Sequence, residues 1–186
     1  AEAMAHLRIS GEEEIALLHG QIRAAREAVE AWTGRALISQ SWRLSLDGWP
    51  EANGSAWWDG VRVGAVSAGA ARFIEIPKPP LLSIQQVALF DDADQQSIWP
   101  AANYFVDTQS APGRLVLRNT ASVPLAGRAA NAVQIDFSCG YGDSAGDIPA
   151  PLRQAVLILT AHFFENRELL RQPGDGQAAP MSVSGL

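Results

Sequence analysis

The stretch VQIDFSCGYGDSAGDIPAPLRQAVLILTAHFF, residues 133–164, changes periodicity half-way along, and the point of change decides the fold. Val133, Ile135, Phe137 and Cys139 alternate with Gln134, Asp136 and Ser138, the period of a strand with one buried face. From Pro149 onward the pattern is helical. Pro149 and Pro151 are tolerable only in a first helical turn, where their missing N–H groups have no intrahelical acceptor anyway. The spacing predicts a helix over 149–171. Between strand and helix lie Gly140, Gly142 and Gly146, which raises the question of a phosphate cradle. Such a cradle needs converging N–H groups and normally a nearby cation. Here Asp143 and Asp147 are interleaved with the glycines and two prolines remove donors, so the segment reads as a tight corner with Asp147 as an N-cap.

Working outward, residues 10–32 form a second helix. Ser10 and Glu13 stand in capping-box register. Ile15, Leu18, Ile22, Ala25, Val29 and Trp32 recur on one face, and Arg23/Glu27 and Arg26/Glu30 are spaced as i, i+4 ion pairs on the other. Gly34 suits the left-handed position that ends a helix. At Ile38 the period becomes two: Ile38, Gln40, Trp42, Leu44 and Leu46 share one face, giving a strand to Asp47. Further strands are predicted at 73–76, 83–90, 104–107, 114–118 and 133–139, and PKPPLL at 77–82 is an extended rim because proline cannot donate to a ladder. The fold class is α+β: N-terminal and C-terminal helices packed together, with a small antiparallel β-sheet or barrel inserted over 36–140. Residues 1–171 then make one domain and 172–186 an extended tail, too poor in apolar mass to fold alone.

Composition narrows the function. The 186 residues carry a net charge of −6, and all but one of the 14 basic residues are Arg, scattered without a cluster. Affinity for a polyanion comes from clustered cations, so a general nucleic-acid binder is excluded. No apolar run approaches the roughly 20 residues of a membrane span. One cysteine cannot form an internal disulfide, which fits a reducing cytoplasm, and the N-terminus lacks the blocks of a signal peptide.

Catalytic signals are thin. Cys139 with His162 would make a thiol nucleophile and base in a small hydrolase or transferase, but the alternation points the thiol into the core. The histidines, 6, 19 and 162, are scattered, and DDAD at 91–94 lacks the remainder of a calcium loop, so no metal or cofactor site is read. Other features suit contact with protein. The segment around Leu157, Ile158 and Phe164 is apolar almost all round and needs cover on two sides. Trp32 and Trp42 fall on core faces, whereas Trp49, Trp57, Trp58 and Trp99 lie at loop or strand ends, either as an interface or as a minor cluster under the long 48–72 connection. The tail keeps Met181, Val183 and Leu186 as anchors, and Arg167, Glu168 and Arg171 are candidates for intersubunit ion pairs, the alternative being charges near a helix end that are simply solvated. A free-standing binding module with the tryptophan loop as its recognition surface is the remaining alternative.

The order of segments also resembles a known family. EAVEAWTGRALISQSWRLSLDGWP (27–50), WWDGVRVG (57–64), IEIPKPPLLSIQQV (74–87), YFVD (104–107), PGRLVL (112–117) and IDFSCGYGDSAGDIPAPLRQAVLILTAHFFENRE (135–168) are similar, in this order, to the head-tail connector (adaptor) family of long-tailed bacteriophages. The variant is the longer one found in prophages and gene transfer agents of alphaproteobacteria. The resemblance runs from about His6 to Glu168. It departs at Met4, where the family pattern has lysine, and in the extra GAVSAGAA at 64–71. It implies a virion structural protein with no catalytic residues, cofactor or membrane association. Copies would form a twelve-subunit ring under the portal protein and join it to stopper and tail proteins, with DNA passing through the lumen. An acidic lumen would let DNA slide, since it offers few cations to hold phosphates.

Overall fold

The computed structural model describes residues 2–8, 14–50, 57–58, 61–62, 72–124 and 127–166. They group into two compact units, Ala1–Ile38 with Tyr141–Leu186, and Ser39–Gly140.

The first unit is helical: α1 (Glu2–Leu7), α2 (Ile15–Thr33) and α3 (Ala150–Glu165). Helix α2 is described from Ile15, with Glu14 as an N-cap that makes no side-chain bond; Ser10 and Glu13 of the expected capping box lie outside the described residues. Its C-terminus is as predicted, with Gly34 at φ 66°. Both i, i+4 pairs form, Arg23–Glu27 at 2.9 Å and Arg26–Glu30 at 3.7 Å. The last turn corrects the sequence reading of Trp32, which is 71% exposed. Glu30 turns inward in its place: its buried carboxylate accepts the Leu37 amide at 2.8 Å, so the last turn caps the chain reversal.

The core between α2 and α3 joins Ala25, Val29, Leu37, Ile148 and Leu159, with Leu152, Ala155, Val156 and Phe163 packed around them. Thr160 is buried without loss because its hydroxyl donates to the Val156 carbonyl at 2.7 Å. Helix α1 was not read from the sequence; it packs on α3, burying Ala3 and pairing Glu2 with Arg153 at 3.4 Å.

The second unit is all β. Its strands are β1 (Gln40–Leu46), β2 (Trp57–Trp58), β3 (Val61–Arg62), β4 (Phe73–Ile76), β5 (Leu81–Phe90), β6 (Gln96–Ile98), β7 (Tyr104–Asp107), β8 (Gly113–Leu117) and β9 (Val133–Cys139). All pairings are antiparallel, in sheets of order β1-β9-β5-β6, β4-β8-β7 and β2-β3. Strand β9 is central in the four-stranded sheet, and its alternation is reproduced in full: Val133, Ile135, Phe137 and Cys139 are buried. Phe137 lies across from Trp42 on one side and Ile84 on the other. Trp42 is on the predicted face, yet 42% exposed, because β1 is an edge strand with no neighbour beyond it among the described residues. The rim is shorter than expected. Pro77–Pro80 stand outside the strands, whereas Leu81 and Leu82 already belong to β5.

Candidate interaction surfaces

The glycine corner resolves as structure. The Asp147 carboxylate accepts hydrogen bonds from the Ser144 amide and hydroxyl, each at 2.9 Å, and closes a 3-10 turn over Ala145–Asp147. Those bonds from Ser144 hold its pKa below the usual carboxylate range. A Cβ on Gly142 would fall 2.6 Å from Asp147 Cβ and Cγ, which explains a glycine there. Asp147 is therefore not the N-cap of α3, as the sequence suggested. Ile148 is extended (ψ 133°), as a residue before proline tends to be, and α3 begins after Pro149 as N-cap, with no side-chain cap. An anion at this corner would meet carboxylates in place of converging amides.

Cys139 is 0% exposed at the end of β9, in the second unit, and His162 lies on α3, in the first. His162 Nδ1 is 3.2 Å from Asn166 Nδ2. A thiol without solvent access is not a nucleophile for an external substrate. Asp91 of the DDAD stretch accepts the amides of Ala93 and Gln95 at 2.9 and 2.8 Å, ordering its own turn. Among the described residues no group of three or more potential metal ligands comes together, and no helix is long and apolar enough to cross a membrane.

What the described chain does present is apolar surface. On α3, Ile158 is 56% exposed, and Leu157 and Phe164 are half-buried. Part of the second covering that this helix was expected to need comes from the chain's own α1. Trp49 and Trp99 pack edge to face at 5.3 Å, and Trp99 stacks on Tyr104 at 5.6 Å, so for these two tryptophans the fold-back cluster is the outcome. Trp57 and Trp58 form β2, but their side chains, with Arg167, Arg171, Met181, Val183 and Leu186, lie outside the described residues.

Sequence reasoning missed a third surface, the outer face of the β4-β8-β7 sheet. Phe73, Val116 and Phe105 stand in cross-strand register there, with the two phenylalanines 43% and 54% exposed. The signal was present in FIEI, YFVD and RLVL, each strand alternating apolar residues on both faces, but which face is covered is a property of the sheet pairing. The next row is Glu75, Arg114 and Asp107. Asp107 Oδ2 accepts from Arg114 Nε and NH2 at 3.0 and 2.6 Å and from the Ser110 hydroxyl at 2.7 Å; the Ser110 and Arg114 bonds hold its pKa far below the normal range. On the four-stranded sheet Asp136 makes a comparable bridge, accepting from Arg43 at 2.6 and 2.9 Å and from Gln86 at 2.7 Å.

No family model matches the sequence, and no curated protein matches it. Solved structures do. A chain in a structure of the neck of an empty gene transfer agent (GTA) particle, computed with C6 symmetry, is 29% identical with a TM-score of 0.71; the match covers 96% of this chain and 81% of that one. The likeness is to gene transfer agent neck chains. A chain in the virion of a native GTA particle is 28% identical (TM-score 0.69, 97% and 81% covered), and one in the neck of the native particle computed with C12 symmetry is 28% identical (TM-score 0.67, 96% and 81% covered). Nearly all of this chain is spanned in each GTA match.

Proposed function

We propose that this chain is a non-enzymatic structural subunit of the neck of a gene transfer agent or phage particle. It acts at the head-tail junction as the adaptor that joins the portal to the stopper and tail. The observation that carries the reading is the likeness over 96% of the chain, at 29% identity, to a chain of a GTA neck. The symmetric necks of the matched structures support a ring of copies, and the segment order shared with head-tail connectors supports twelve. Exposed apolar side chains on α3 and on the β4-β8-β7 sheet suit a subunit whose packing is completed by neighbours. The net charge of −6 suits a lumen through which DNA moves without being held. The enzyme reading is disfavoured because the one thiol is inaccessible.

The test is assembly on the cognate portal. Mass photometry of the purified chain, the purified portal and their mixture should show a complex that adds about twelve chain masses to the portal ring. A mixture in which the two remain separate at every ratio overturns the adaptor role.

A further inference from the structure

We infer that the free edge of β1 is a strand-pairing site for the β2-β3 hairpin of a second copy of this chain. The inference rests on the ring reading above and names the contact that links one copy to the next. An open sheet edge presents a row of unpaired N–H and C=O groups, which proteins blunt with short strands, prolines, bulges, unpaired charges or a cover. Other edges of the two larger sheets are blunted in this way: β6 has three residues, β7 has four, and β4 has four and runs into Pro77. Strand β1 has none of these devices. It runs for seven residues without proline, its register with β9 is unbroken from Gln40 to Leu46, and no described strand lies beyond it. Its single charge, Arg43, is neutralised by Asp136 at 2.6 Å, and Trp42 is left 42% exposed.

The occupant is read from the same chain. Strands β2 and β3 pair in the register Trp57↔Arg62 and Trp58↔Val61, leaving only Asp59 and Gly60 between them, a sequence that favours a two-residue hairpin turn. No third strand joins this sheet among the described residues. A two-stranded ribbon of this size is not stable in water by itself and has to add to a larger sheet. The chain thus carries an acceptor edge and a donor hairpin, each incomplete. Only residues 47–56 separate β1 from β2, yet the two do not pair within one chain. Pairing between copies completes both, main chain to main chain. A partner of another kind would fill the edge and leave the hairpin unpaired. The exchange also has the asymmetry of a ring contact, since each copy offers its edge to one neighbour and its hairpin to the other.

The experiment places a photo-crosslinking phenylalanine analogue (p-benzoylphenylalanine) at Trp42 of the full chain. This chain is assembled on the portal together with isotopically heavy chain lacking the analogue, irradiated, digested and read by mass spectrometry. The expected product joins position 42 of a light chain to residues 57–62 of a heavy one. The same probe at Ile98, exposed on the short edge strand β6, is the control and should not give that link. Links within one chain only, links to the portal or another neck protein, or no link to the hairpin in assembled rings overturn the inference while leaving the adaptor reading in place. If the unmodified chain fails to assemble at all, the adaptor reading itself falls. As a second measurement, the Trp58→Pro/Val61→Pro variant loses hairpin N–H donors. Its melting by circular dichroism should match the parent's, because the hairpin is a separate sheet, and it should need at least about tenfold more protein to assemble. Unchanged assembly contradicts the inference.

Discussion

Gly20 and Gly142 sit in opposite circumstances, and their substitution separates helix propensity from steric need. At Gly20, in the middle of α2, an added Cβ meets nothing within 4 Å, so Gly20→Ala should raise stability by about 1 kcal/mol in denaturant melts. At Gly142 the added Cβ would collide with Asp147, and Gly142→Ala should cost about 1–3 kcal/mol. Equal effects at the two sites would contradict the corner described here. The pH dependence belongs to this scale as well. Asp107 has a folded pKa below its unfolded one, chiefly through Ser110 and Arg114, so its contribution is complete above the unfolded value of about 4 and is lost as pH falls through the lower folded value. Asp107→Asn should be less stable than the parent at pH 7, and the gap should shrink as the pH drops below about 4. A gap that stays constant from pH 7 to pH 2 would show that the carboxylate's charge is not what stabilises the turn.

At the scale of elements, α3 carries the sharpest expectation. Ile158 is exposed in the isolated chain, so Ile158→Ser should change thermal stability little, within about 0.5 kcal/mol, as surface substitutions do. A loss above about 2 kcal/mol would mean that the chain covers this residue itself. Most elements were legible because alternation and helical spacing are local: β9, β4 and the C-terminal end of α2 appear where the pattern put them. The exceptions have physical causes. Helix α1, at six residues, is too short to be stable alone and forms through packing on α3, which no local pattern reports. Strand β6 has three residues and no buried one. Trp42 was assigned to the correct face, but its exposure depends on β1 being an edge strand, a fact of sheet order. Trp32 was lost to Glu30 because a backbone amide needed an acceptor, and periodicity counts only apolar residues.

At the scale of the whole molecule, the surfaces were less legible than the fold. The sequence marked α3 and the tryptophans as candidates for contact. Trp49 and Trp99 prove to serve their own unit, and the phenylalanine row went unread because both faces of its strands are apolar and only the pairing tells them apart. The near-full-length likeness to chains of symmetric GTA necks is the reason these exposed surfaces are candidates for contact with neighbouring subunits. Whether this chain is a building block of the head-tail junction can be seen in averaged electron cryo-microscopy images of purified particles. The account predicts a ring of density fitted by this fold between portal and tail, absent from particles made without the chain. A complete neck in particles lacking it, or density for the fold anywhere else in the particle, would contradict the account.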